Sequence, residues 1–422
     1  MKIILNNVAR VQHAEVEIKG ISVISGYNGT GKSTVCKALY ATSQAFGRLN
    51  KRVLQSRENS IKNSIDEWES KSRTDSDPFW EECSDNFFNL LEQMKLSLED
   101  LTDEDLPKLL QRAGIDPEED GYEDLLSELG RIRKRPFEDD AHFVIERAFS
   151  QCFSGQLNTL GQDTQAEIQF EYGKSVARAA FQNNKLTEST ATQILMNKPV
   201  YIETGSSLDM VINNQYRRRL SASNGKIPFS ALYKSATGVM TLEKYNELNK
   251  VREICSRIMN EVTHGELVSS TTNREITYHE EDLQDPILCP NIASGLKNIL
   301  TIQKLLDNGY LNSNSLLLID EPEVNLHPEW QVAYARYIVM RQVKFAEILV
   351  LLYKELGIRI ILNTHSPYFM RAIETKLAEQ ELADMGRYYF MKEVSPRRFV
   401  AEDVTGKTEI VYRTMYKPLE GL

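Results

Sequence analysis

The stretch from Ile21 to Ser33, ISVISGYNGTGKS, constrains this chain more than any other. An apolar run, Ile21 to Ile24, leads straight into GYNGTGKST, in which Gly26, Gly31, Lys32 and Ser33 occupy the positions of a phosphate-binding loop. Val35, Leu39 and Phe46 then recur at helical spacing, and Gly47 offers a stop. Strand, glycine loop and helix in that order are the context the pattern requires. The glycines are needed because backbone N–H groups must close around phosphate oxygens with no side chain in the way. Lys32 would neutralise the outer phosphates and Ser33 would hold Mg2+; Asn28, Gly29, Thr30 and Thr34 complete the candidate loop. A plain glycine turn joining strand to helix is the competing explanation.

Two further strand ends carry chemistry. In SLLLIDEPEVNLHPEW four apolar residues precede two carboxylates, so Asp320 emerges at the carboxyl end of a buried strand, where ligands of such sheets sit. Phosphoryl transfer needs charge neutralisation and a positioned water more than covalent chemistry. Asp320 is therefore the metal-side candidate and Glu321 the general base for the attacking water. An exposed acidic pair capping a helix is the bland alternative. In RIILNTHSPYF, His365 follows a second apolar strand, and its expected role is a hydrogen bond to the terminal phosphate.

At 422 residues the chain exceeds the size at which one core usually stops growing, so a main domain with a substantial insertion is expected. Strands are read at Lys2–Leu5, Glu15–Ile18, Glu167–Tyr172, Val200–Glu203, Leu316–Ile319 and Arg359–Leu362, with a helix after Ser294 and a long helix opened by Pro328. Alternating strands and helices argue for a mostly parallel sheet covered on both faces. Residues 50–161 read as a charged helical insertion broken at Asp77-Pro78, Asp116-Pro117 and Arg135-Pro136. The head would comprise 1–49 and 162–422, with 390–422 a short extension of it.

Charge is uneven. Glu99 to Asp140 holds 15 Asp and Glu against 6 Lys and Arg, while the formal total is -10. An acidic chain is a poor general polyanion binder, so a DNA contact would have to be local, at Arg217, Arg218 and Arg219 or at Arg131 to Pro136; basic clusters of this kind are usually solvated faces. The acidic segment, with apolar positions Leu106, Leu109, Leu110, Leu125 and Leu126, reads either as a docking surface for a basic partner or as a solvated helical lobe. The five cysteines have no paired spacing, no apolar run reaches the roughly 20 residues that span a bilayer, and the first residues carry no secretion signal; a cytoplasmic location without membrane contact is expected.

Taken in order, GYNGTGKST, DEPEVNLHP and NTHSPYF resemble the ATP-binding cassette ATPases of the chromosome-maintenance, recombination-repair and OLD-nuclease branch. The resemblance implies an α/β ATPase head with a mostly parallel sheet, antiparallel N-terminal strands and a helical insertion. It implies ATP and Mg2+ as ligands. It also implies that NIASGLKN carries the signature serine and glycine at Ser294 and Gly295, which in relatives reach across a dimer to the partner's ATP. Leu296, Lys297 and His327 depart from the pattern of many transporters of the superfamily, and the lid glutamine is unassigned, with Gln169 a candidate.

OLD-type relatives continue into a metal-dependent nuclease domain, for which the some 30 residues after Tyr389 are too few. The chain thus looks like a stand-alone ATPase subunit, similar to those of Septu, PARIS and retron-associated anti-phage systems. There a homodimer or higher homo-oligomer formed through the nucleotide sites would control a separate nuclease or toxin effector. A DNA repair or recombination ATPase acting on DNA directly is the second reading, and a nucleotide-dependent interaction protein with little turnover the third.

Overall fold

The computed structural model describes residues 1–72, 83–191, 199–203, 232, 242–269, 276–292, 294–313, 315–322 and 331–416. Arg217 to Arg219, His327 and Pro328 lie outside these residues. The chain divides into two compact units, Met1–Gly47 with Phe149–Leu422, and Arg48–Ala148.

The first unit opens with β1 (Lys2–Val8), β2 (Val11–Glu17), β3 (Ile21–Ser25) and α1 (Lys32–Phe46). After the second unit come β4 (Ala166–Tyr172), β5 (Ser175–Gln182), β6 (Lys185–Ala191) and β7 (Val200–Ile202). The helix that continues from Leu242 to Thr263 precedes a small three-stranded sheet, Gly265–Ser269, Ile276–Glu280 and Ile287–Leu288. The last part holds a helix at Ser294–Asp307, a strand at Leu316–Asp320, a long helix at Gln331–Leu356, a strand at Arg359–Thr364 and a helix at Pro367–Glu379. It closes with strands Gly386–Ser395 and Arg398–Asp403 and a helix at Glu409–Tyr416.

Five of these strands form the parallel part of the main sheet. The Leu316–Asp320 strand lies between β7 and the Arg359–Thr364 strand, and the latter pairs with β3, which pairs in turn with Gly386–Ser395. Three are apolar runs buried on both faces, ISVIS, LLLID and RIILNT, the pattern of a sheet covered on both sides. β1, β2, β4, β5 and β6 pair antiparallel, so the α/β class with antiparallel N-terminal strands agrees with the sequence. The Gln331–Leu356 helix ends at Gly357, whose φ of 68° lets its N–H return to Tyr353 O at 2.8 Å.

Two boundaries differ from the sequence reading. Residues 390–403 are part of the head's own sheet: Phe390 pairs with Ser25, and Arg398–Asp403 joins the same sheet between β2 and Gly386–Ser395. Tyr388, Tyr389, Phe390 and Met391 are all buried, so the strand shows no alternation to betray it. The inserted unit is 48–148 where 50–161 was expected. Phe149 packs edge-on against Phe181 at 5.0 Å, and Asn158 Nδ2 donates to Phe181 O at 3.0 Å, which ties residues past 148 to β5.

The second unit is helical: Leu49–Ser72, Cys83–Met94, Asp105–Arg112, Tyr122–Lys134 and most of Phe137–Phe153. Its core includes Ile61, Ile65, Trp68, Phe87, Leu109 and Leu129. Leu106, Leu109, Leu110 and Leu125 are buried in that core and Leu126 is packed against it, so these apolar positions hold the unit together and offer no docking surface. The unit carries 26 Asp and Glu and 15 Lys and Arg, a balance of -11 that accounts for the acidity of the whole chain. The basic stretch is spent internally. Arg131 pairs with Glu128, Arg133 and Lys134 both pair with Asp103, and Arg135 pairs with Asp140.

Asp140 also accepts from Arg57 Nε at 2.5 Å, and Arg57 Nη2 donates to Arg135 O at 2.7 Å. Both partners are buried, and without Asp140 the Arg57 guanidinium keeps only the exposed Glu99 at 3.9 Å, so the loss of Asp140 leaves a poorly compensated buried charge, which typically costs about 3–5 kcal/mol. Asp140→Ala is expected to destabilise this unit by that amount in denaturant unfolding of the full chain; a change below about 1 kcal/mol would mean that water reaches Arg57.

All five cysteines are free thiols. Burial pushes the Cys255 thiol up to about 12, as suits a packing residue.

Candidate functional site

The loop between β3 and α1 is shaped by its glycines and by what lies behind them. Gly31 sits at φ 92° just ahead of the helix, and a Cβ there would come within 2.9 Å of Val11 on β2. At Gly26 a Cβ would meet Met391 and the Thr30 hydroxyl at 3.0 and 3.1 Å. Phosphate access explains glycine at these positions only in part; close packing under the loop demands it too. Thr30 Oγ1 donates to Tyr27 O at 2.8 Å, and Arg10 Nη1 donates to Gly29 O at 2.8 Å. Lys32 is only 3 % exposed; its ammonium donates to Gly26 O and Tyr27 O, both at 2.9 Å. The loop thus brings a desolvated cation and the N-terminus of a 15-residue helix to one spot, an arrangement that favours an anion.

The parallel strands bring the acidic pair to the same place. Ser33 Oγ donates to Asp320 Oδ1 at 2.9 Å, linking residues 287 positions apart. Asn363 Nδ2 donates to the same oxygen at 3.0 Å and Tyr201 OH to Oδ2 at 3.4 Å. Glu321 leaves the strand at φ 45°, a left-handed conformation that costs a residue with a Cβ about 1–3 kcal/mol. The bond from its N–H to Asn363 O at 3.0 Å holds it there. This turn sends the Glu321 carboxylate toward the loop: Oε1 stands 3.6 Å from Lys32 Nζ and Oε2 stands 3.9 Å from His365 Nδ1. His365 is held by the turn into the Pro367–Glu379 helix, which Ser366 caps by accepting from Phe369 N at 3.2 Å. Loop lysine, loop serine, strand-end aspartate, glutamate and histidine therefore form one connected constellation.

A family model described as "AAA domain, putative AbiEii toxin, Type IV TA system" matches residues 21–371, from β3 past His365. The chain belongs to this family. No curated protein matches it. Among solved structures it is similar to the SMC head domain from Thermotoga maritima, at 10 % identity and TM-score 0.38, over 96 % of this chain and 98 % of that one. It is also similar to an SMC head bound to the C-terminal winged-helix domain of ScpA, at 11 % identity and TM-score 0.45, over 96 % and 97 %. The recombination mediator RecF in its ATPrS complex matches at 9 % identity and TM-score 0.37, over 96 % and 97 %. At such identities and TM-scores these likenesses bear on neither activity nor partner.

In this AAA domain the remaining sequence candidates fall as follows. A helix begins at Ser294, with Gly295 in its first turn, where unpaired N–H groups favour an anion. Gln169, on β4, donates to Glu171 on its own strand at 2.8 Å. Sequence reasoning missed Tyr201, Asn363, Arg10 and Tyr27. Asn363 stood in plain view within NTHSPYF, two residues before His365, and a buried polar residue in an apolar strand was the available signal. Tyr201 and Arg10 carried none, since neither belongs to a motif. Tyr27 OH donates to Thr414 O at 2.7 Å, fastening the loop to the Glu409–Tyr416 helix.

The donor set fits magnesium. Ser33 Oγ and Asp320 Oδ1, joined here by a 2.9 Å hydrogen bond, are hard oxygens close enough to become neighbouring ligands of an octahedral Mg2+, which lie ~3.0 Å apart. Two protein oxygens with the rest left to water and phosphate is the usual magnesium arrangement. Among the described residues no group of three or more His, Cys, Asp or Glu forms a separate metal cage, and no helix is long and apolar enough to cross a membrane.

Proposed function

We propose that the chain binds ATP with Mg2+ and hydrolyses it, and that it serves as the sensor or scaffold subunit of a cytoplasmic anti-phage complex whose nuclease or toxin effector is a separate chain. The observation that carries the reading is the 2.9 Å Ser33–Asp320 contact beside Lys32 and Glu321, an arrangement that supports a site for a metal and a triphosphate. Mg2+, held by Ser33 and Asp320, would neutralise charge on the phosphate oxygens. Lys32 would exchange the carbonyls of Gly26 and Tyr27 for the outer phosphates. Glu321 would accept the proton of the attacking water, and His365, 3.9 Å away, would orient that carboxylate and donate to the terminal phosphate. Ser294 and Gly295, at a helix N-terminus, would complete the partner's site across a nucleotide-sandwiched homodimer, from which higher homo-oligomers could form.

The family description, with its AbiEii toxin, is compatible with defence, and the -11 of the helical unit suits a basic effector. Among the described residues the basic stretch does not favour direct DNA work: Arg131, Arg133, Lys134 and Arg135 are paired with carboxylates of their own unit. The experiment is copurification with the genomic neighbour followed by phage challenge of cells carrying wild type or Lys32→Ala. Protection that vanishes with Lys32 supports the reading. Intact protection removes the nucleotide site from defence and turns attention to repair.

A further inference from the structure

We infer that Tyr201 and Asn363 are positioning residues for Asp320, gripping its carboxylate from the two neighbouring strands so that Asp320 and Ser33 receive Mg2+ together. The inference rests on the reading above that this site takes ATP with Mg2+.

The topology dictates the grip. The Leu316–Asp320 strand lies between β7 and Arg359–Thr364, with Leu318 opposite Tyr201 and Asp320 opposite Asn363. Side chains alternate along a strand, so Tyr201, Leu318, Asp320 and Asn363 share the face that α1 covers. From that helix Ser33 reaches Asp320, and seven residues on, two turns along the same side, Tyr40 meets the Tyr201 ring at 5.7 Å. The Tyr201 ring thus sets the spacing between helix and strand while its hydroxyl reaches Asp320 Oδ2.

Both side chains are fully buried, and both are costly choices there. Asn363 turns its Nδ2 to Asp320, since the flipped amide would set oxygen against oxygen. Its Oδ1 is then buried with no hydrogen-bond partner among the described residues. An aliphatic residue would fill the strand without that penalty, so the amide is there for the carboxylate. The Tyr201 phenol donates in its 3.4 Å bond, because a carboxylate oxygen can only accept. With Nδ2 on Oδ1 and the phenol on Oδ2, the carboxylate plane is fixed before any metal arrives, the role outer partners play around metal ligands.

Binding of a fluorescent, non-hydrolysable ATP analogue, titrated with Mg2+ and repeated in EDTA, tests this without turnover. In Asn363→Ala the Mg2+ concentration at half-saturation should rise about tenfold, and in Tyr201→Phe, whose bond is longer, about threefold, with metal-free nucleotide binding unchanged. Tyr201→Phe keeps the ring against Tyr40, so it guards against a folding artefact. A half-saturation within twofold of wild type in both variants overturns the inference, as does an equal loss of binding in EDTA, which would make the two residues general supports of the loop. If wild type itself gains no affinity from Mg2+, the ATP–Mg2+ reading falls instead.

Discussion

Glu321→Gln is expected to lower ATP turnover by a factor of roughly 10²–10⁴, the range a positioned general base supplies, while leaving ATP binding intact and trapping nucleotide-bound dimers. The change is nearly isosteric, and glutamine tolerates the φ of 45° at 321 as well as glutamate does, so the backbone turn that aims this residue at the loop should persist. What disappears is the charge that faces Lys32 at 3.6 Å and His365 at 3.9 Å. A neutral amide cannot accept the water proton, but it still fills the space beside a bound phosphate. Dimer trapping, read by size-exclusion chromatography with ATP, separates loss of chemistry from loss of binding. Unchanged turnover would falsify the assignment of Glu321 as base.

Lys32→Ala should have the opposite signature, weakening nucleotide binding itself and with it turnover, by about 10²-fold or more, as expected for a charge clamp on a transferring phosphoryl group. The side chain is 3 % exposed, and its ammonium already lies over the loop, held by Gly26 O and Tyr27 O. Its removal deletes the cation and leaves two loop carbonyls to find other donors. Direct binding of labelled ATP at several concentrations checks this. Wild-type affinity would mean that the loop amides and the helix end hold the phosphates unaided. The two variants together therefore report on different steps: with Glu321→Gln the protein keeps ATP, and with Lys32→Ala it fails to take it up.

Particular residues show how far the sequence could be read. Gly26 to Ser33 and Asp320 were legible because each sits where a single local pattern, an apolar run ending in a polar residue, has few alternative uses. The strand at Gly386–Ser395 was not legible, since Tyr388 to Met391 are buried without alternation while Lys392 to Ser395 are exposed and read as a tail. Leu106, Leu109, Leu110 and Leu125 were visible as apolar, but whether such residues face a partner or their own core depends on helices that pack from elsewhere in the chain. The same holds for Arg131 to Arg135, whose carboxylate partners at 103, 128 and 140 decide that this basic stretch is neutralised.

By itself the sequence determined that a glycine-rich loop leads from a strand into a helix, that an acidic pair ends a buried strand and that a histidine follows another, because strand, turn and helix preferences are local. Only the tertiary structure decided that Ser33 meets Asp320 across 287 positions, that Glu321 turns left-handed toward Lys32, and that Tyr201 and Asn363 clasp the aspartate from either side. Those contacts follow from strand order and register, which hydrogen bonds between distant segments fix and no local pattern encodes.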